Sequence, residues 1–182
     1  MKIAITGHTN IEKAIDLDLS YDHGQKYNKE AFDKVYKIVE DNLKLYCFNN
    51  KITFNELVLI SGMARGIDEI FAILAIRNDL GLILSIPGSI SWHKNRSLSR
   101  GMRAQAVYYD RILGYKNILE IVEVQKTYNG GKYHFVNMAR NQHMVDISDG
   151  VFSFKSYDST GTDDCINRAT KSEKYLGNLF TL

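Results

Sequence analysis

Three short segments combine glycine with small or polar side chains: Gly7-His8-Thr9-Asn10, Ser61-Gly62-Met63-Ala64-Arg65-Gly66 and Ser159-Thr160-Gly161-Thr162. Residues of these types suit an anion. A glycine has no Cβ to hold a phosphate away from the backbone amides. A helix that starts just after such a turn adds unpaired N–H groups carrying a partial positive charge. The plain alternative is that strand-to-helix turns use Gly and Ser for turning and capping. Convergence of all three segments at one place favours the ligand over that alternative. Two arginines join them. Arg140, next to Asn141 in a run with helical spacing, either forks onto a phosphate or forms a surface ion pair with Asp146 or Asp149. Arg65 has the same two readings, and its place inside the glycine turn favours the ligand.

Other reactive residues point elsewhere or nowhere. The five histidines (His8, His23, His93, His134, His143) show no metal spacing such as HExxH, and only His8 falls at a strand end, so no metal site is expected. Cys47 and Cys165 form no CxxC pair, which argues against a disulfide framework and a thiolate zinc site and favours a reducing compartment. Neither a GxGxxG fingerprint nor a GxxxxGK[ST] loop occurs, so dinucleotide dehydrogenase and P-loop chemistry are disfavoured and no cofactor is assigned. Trp92, beside His93, reads as a hydrophobic lid, a partner contact or a platform for a base. Tyr108-Tyr109 lies at helical spacing with Gln105 and Ile112 and reads as core.

The elements that must position these residues alternate between short apolar runs and segments with apolar residues at spacings of three and four. That is the pattern of βαβ units. Strands are expected at Lys2 to Thr6, Leu57 to Ile60, Leu82 to Ile86, Leu119 to Val124 and Gly150 to Phe154. Ala31, Phe32, Val35, Ile38, Val39, Leu43 and Tyr46 line one face of a helix. Further helices are expected from about Ile67 to Arg77, Arg100 to Tyr115, Phe135 to Ile147 and Thr162 to Tyr175. Asn10 to Tyr27, the segment around Trp92 and Gln125 to Tyr133 read as polar or irregular connections. The expected fold is α/β: a Rossmann-like, doubly wound, mainly parallel sheet of about five strands flanked by helices. In such sheets a ligand binds beyond the carboxyl ends of the strands, where the strand order reverses, and all three glycine segments follow strands.

Bulk properties agree with a single domain over residues 1–182. The chain is 45% hydrophobic, enough at 182 residues to bury a core, and nothing marks a linker or a repeat. Its 23 basic and 21 acidic residues are mixed along the sequence and leave a formal charge of +2, so no polyanion-binding field is present and nucleic acid is not the expected partner. No run approaches eighteen apolar residues and the amino terminus lacks a signal-peptide core, so a cytoplasmic chain with no membrane partner is expected.

Ile5-Thr6-Gly7-His8, Ile60 to Asp68, Arg140 to Gly150 and Ser159-Thr160-Gly161-Thr162 together resemble, in order, the motifs of the SLOG superfamily, which includes the Lonely Guy (LOG) phosphoribohydrolases, the DprA/Smf proteins and the small YpsA-like proteins. The resemblance implies a Rossmann-like sheet that binds a nucleoside monophosphate, NAD or an ADP-ribose derivative. The implied contacts are Gly7, His8, Thr9, Ser61, Gly62, Arg65, Gly66, Asp68, Arg140, Asn141, Ser159, Thr160, Gly161 and Thr162. Family members commonly form dimers, which implies a homodimer. LOG enzymes cleave the N-glycosidic bond of a nucleoside 5′-monophosphate with an Arg in a helix and a PGGxGTxxE motif. Arg140 matches the Arg and Gly161-Thr162 the GT, but no PGG precedes and the place of the Glu falls on Cys165. Nucleoside deoxyribosyltransferases look similar around Asp158 to Thr162 and also have a Glu there.

The missing carboxylate decides between two readings. Glycosidic cleavage passes through an oxocarbenium-like state that a carboxylate stabilises, attacks or serves by activating water. Asp163 and Asp164 are the nearest replacements, although a step of one residue along a helix turns a side chain by about 100°. Asp68 and Asp146 are further candidates. The first reading is a ligand-binding or sensing protein without turnover. The second is an N-glycosidase or ribosyl transferase with Arg140 on the phosphate and Asp164 or Asp163 at the anomeric carbon. Single-stranded DNA binding of the DprA kind is a third, disfavoured by the balanced charge and the lack of a basic patch interleaved with aromatics.

Overall fold

A computed structural model describes residues 1–15, 28–99, 109–124 and 133–181. Among them, six strands form one all-parallel sheet: β1 (Lys2–Gly7), β2 (Val58–Ser61), β3 (Gly81–Pro87), β4 (Ile118–Val124), β5 (Gly150–Phe154) and β6 (Tyr175–Asn178). The helices are α1 (Ile11–Ala14), α2 (Lys29–Asn49), α3 (Ile67–Arg77), α4 (Ile90–Ser99), α5 (109–113), α6 (Tyr133–Ile147) and α7 (Thr160–Lys171). The strand order is β4-β3-β2-β1-β5-β6. From β1 the chain steps outward through β2, β3 and β4, then returns to lay β5 against the other side of β1. The reversal therefore lies between β1 and β5, the place where an α/β sheet offers a crevice.

The alternation of side chains along β1 divides the core between two faces. Ile3 and Ile5 join a large cluster with Val35, Val39 and Leu43 of α2 and Ile67, Ile70, Phe71 and Leu74 of α3. Ala4 points the other way, into a smaller cluster with Ile60, Ile83 and Val151 of the sheet, Met144 and Val145 of α6, and Cys165 and Ala169 of α7. The small residues Ala4, Cys165 and Ala169 let α7 lie close to the central strands.

Several boundaries differ from the sequence reading, each for a local reason. Five strands become six because α7 stops at Lys171 rather than near Tyr175. Its stop is a Schellman turn: Glu173 N donates to Thr170 O, Lys174 N donates to Ala169 O, and Glu173 takes the left-handed conformation at φ +57°. No glycine announces that turn, and the released residues pair with β5 as β6. The connection around Trp92 is helical. Ser89 Oγ accepts from Trp92 N, and Glu123 of β4 accepts from Ile90 N at 2.7 Å, so part of the start of α4 is satisfied by a residue distant in sequence. Within Asn10 to Tyr27, Asn10 caps the short helix α1 through Lys13 N, and residues 16–27 lie outside the described residues. So do residues 100–108, which hold most of the helix expected at Arg100 to Tyr115, and residues 125–132 of the glycine-rich connection.

Candidate functional site

The loop after β2 is held from within. Ser61 Oγ donates to Asp68 O at 2.6 Å and accepts from Met63 N at 3.2 Å, tying the turn to the first turn of α3. The Asp68 carboxylate accepts from Ala64 N at 3.2 Å and from Arg140 Nη1 at 2.6 Å, and the same nitrogen of Arg140 donates to Gly62 O at 2.8 Å. A Cβ on Gly62 would stand 1.7 Å from Arg140 Nη1, so the socket for the guanidinium exists only because residue 62 is glycine. The paired side chains are 11% and 6% exposed, which makes this a nearly buried ion pair between α6 and the β2 loop. Burial raises the Asp68 carboxyl above the ordinary carboxylate range, against the pull of Arg140 and the Ala64 amide.

This placement bears on Arg140 and Asp68. Arg140 makes no surface ion pair with Asp146 or Asp149: Asp146 accepts from Gln142 Nε2 and Asp149 from Lys2 N. Arg140 instead reaches the strand ends, and its Nη1 is committed to Asp68 and Gly62. Asp68, expected among the ligand contacts, is the internal partner of that arginine.

The loop after β1 crosses this one closely. Gly66 caps α3 at φ +91°, a conformation suited to glycine, and a Cβ there would stand 2.2 Å from His8 O. Ile67 N donates to that carbonyl at 3.2 Å, and Arg65 Nη1 donates to Thr9 O at 3.2 Å. His8 is buried, and its Nε2 accepts from the backbone N–H groups of Ser156 at 2.9 Å and Tyr157 at 3.2 Å. Its ring stacks on Tyr157 with centroids 3.5 Å apart and planes 4° from parallel. Lys13 Nζ lies 4.4 Å from the centroid of the same tyrosine ring.

The third glycine segment opens α7. Ser159 is the N-cap, Thr162 Oγ1 donates to Ser159 Oγ at 3.1 Å, and Ser159 N donates to Asp163 at 3.4 Å. Asn141 spans from α6 to this turn, donating to Gly161 O at 3.1 Å and Asp164 Oδ2 at 3.0 Å. Thr160 and Gly161 are exposed, and nothing lies within 4 Å of a Cβ built on Gly161. The two adjacent aspartates leave the helix in different directions. Asp163 pairs with Lys155 at 2.6 Å, whereas Asp164 turns to α6 and accepts from Arg168 Nε at 2.9 Å. Cys165, at the place of the expected Glu, is fully buried, and burial pushes its thiol up to about 11. A neutral thiol inside the core does none of the work of a carboxylate.

All three glycine segments thus meet at the reversal of strand order, cross-tied by Arg140, Asn141, His8 and Arg65. Lys13 and Lys155 add positive charge there. Sequence reasoning missed Tyr157, Lys13 and Lys155; the available signal for two of them was their position directly after β5. Trp92 lies elsewhere, with a Cβ on Gly88 2.7 Å from its ring, and Tyr109 is core as expected. Among the described residues no group of three or more His, Cys, Asp or Glu is placed to hold a metal ion, and no helix is long and apolar enough to cross a membrane.

No family profile and no curated protein matches the chain. Among solved structures it is similar to the X-ray structure of DNA processing protein A (DprA) from Streptococcus pneumoniae, with a TM-score of 0.59 at 20% sequence identity. The match covers 97% of this chain and 49% of that one, so the chain spans about half the length of this neighbour. What the two proteins share is the fold, a Rossmann-like α/β sheet with helices on both faces.

Proposed function

We propose that this chain is a member of the SLOG superfamily that binds a nucleotide or nucleotide derivative at the carboxyl edge of the sheet, as a ligand-binding or sensing protein. The observation that carries the reading is the meeting of the three glycine segments between β1 and β5, with exposed Thr160 and Gly161 at the start of α7 and Lys13, Arg65 and Lys155 around them. A phosphate suits that edge, because backbone N–H groups and nearby cations act together on it. Binding is proposed rather than turnover. Cys165 is sunk in the core, Asp163 is engaged by Lys155, and Asp164 faces α6.

Thermal denaturation across nucleoside monophosphates, NAD and ADP-ribose tests the reading. A ligand at a hundred times its Kd stabilises by about 2.7 kcal/mol, which for a chain of this length is a rise in Tm of roughly 5–10 °C. No shift with any of these at millimolar concentration would sink it.

The likeness to a DNA processing protein supports a second reading, single-stranded nucleic acid at the same edge. The balanced charge of the whole chain does not forbid a local cationic rim of Lys13 and Lys155. On this reading single-stranded DNA is retained at low salt and released as salt rises, with a slope that falls when Lys13 and Lys155 are both replaced by Gln. Retention that is absent at low salt removes it.

A further inference from the structure

We propose that His8 is a proton-released clasp: its neutral ring holds the loop after β5 against the loop after β1, and protonation at Nε2 frees Ser156 and Tyr157. This stands apart from the identity of any ligand. Two backbone N–H groups, those of Ser156 and Tyr157, point at Nε2 from 2.9 and 3.2 Å. A nitrogen that accepts from them carries no proton, so the neutral ring has its proton on Nδ1. Adding a proton to Nε2 replaces a lone pair facing two donors with a third donor. Both hydrogen bonds are lost at once, and the proton comes from solvent. Among the described residues nothing else at that position takes over: the ring is 1% exposed, and Nδ1 is buried without a partner.

The surroundings oppose the charged ring on balance. Lys155, just after β5, and Lys13 of α1 repel an imidazolium, Asp163 of α7 attracts it, and Tyr157 lies flat against one face. Burial is the largest influence, and together these hold the His8 imidazole down at about 4. The clasp is therefore shut at neutral pH. A proton that binds the closed ring this much more weakly than a free histidine opens the clasp by the same factor, roughly 300-fold at its limit. The opening develops as pH falls from 6.5 toward 4.

Amide hydrogen exchange read by NMR on the full chain tests this. After correction for the intrinsic pH dependence, the Ser156 and Tyr157 amides should lose protection by on the order of fifty-fold between pH 6 and pH 3.5 relative to the amides of β1. His8→Gln places a carbonyl oxygen near the position of Nε2 without a titrating group. It should keep the two amides protected and flat with pH. Equal protection of the two amides in the natural chain at both pH values, or the same loss in His8→Gln, overturns the proposal. The natural chain alone also decides: ring nitrogen signals at pH 7 showing the proton on Nε2 rather than Nδ1 rule the clasp out, whether or not the variant folds.

Discussion

A guanidinium nitrogen 1.7 Å from where a Cβ would stand makes Gly62 the residue on which the Arg140 socket depends. Gly62→Ala must expel Arg140 from its socket, leaving Asp68 buried with a lone backbone amide. Breaking a buried pair in this way costs about 3 kcal/mol, and urea denaturation should show it as a lower midpoint with an unchanged slope. A midpoint within experimental error of the natural chain would mean that the turn relaxes and the pair survives. Composition and order of the site residues were legible in the sequence, since Gly62, Arg65, Arg140 and Asn141 all stand at the strand-end edge. Their partners were not. Asp68 and Arg140 are 72 residues apart, and no spacing rule links a helix residue to the carboxylate it will meet across a crevice. Tyr157 was passed over for a similar reason, because its role comes from a ring brought to it by β1.

Helix stops carry the least signal in this sequence. Among the described residues three helices end with a non-glycine residue in the left-handed region: Lys51 after α2, Asp79 after α3 and Glu173 after α7, each near φ +55 to +57°. The strand starts and the amphipathic stripe of α2 were readable from periodicity, but these stops were not, because the usual marker at the position is glycine. The sixth strand was lost with the last of them. At such a position an L side chain costs roughly 1–2 kcal/mol of backbone strain, partly offset by the greater freedom glycine has when unfolded. Glu173→Gly should therefore stabilise by about 0.5–1 kcal/mol and raise Tm by a few degrees in calorimetry. A fall in Tm would show that the Glu173 side chain contributes more than its backbone strain costs.

At the scale of the whole molecule, His8 gives stability a direction with pH. Its imidazole is lowered from 6.5 to about 4 in the folded chain, so the folded state binds fewer protons than the unfolded one in that window. The contribution is complete above 6.5 and is lost as pH falls toward 4, below which both states are protonated and the loss stops. Its upper limit is on the order of 3 kcal/mol, reached only if the clasp stays shut until the whole chain unfolds, against the 5–15 kcal/mol typical of a folded domain. Urea midpoints measured from pH 7 to pH 4 should fall steeply in the natural chain and more gently in His8→Gln. Parallel curves would show that other groups govern acid unfolding. None of this could be read from the sequence, where His8 was visible as a histidine at a strand end and as an implied ligand contact; its shift comes from the burial and cations that the fold assembles.

The strand order also sets a timetable. β1 finds β2 about fifty residues on, but its other neighbour is β5, and Lys2 meets Asp149 across 147 positions of chain. Closing so long a loop is slow compared with forming helices, so the crevice between β1 and β5 is among the last parts of the molecule to exist. A chain still being synthesised holds β1 with one open flank until β5 is made. During that interval the unpaired N–H and C=O groups along that edge of β1 are open to strands of neighbouring chains, a window in which chaperones or crowded copies compete for them.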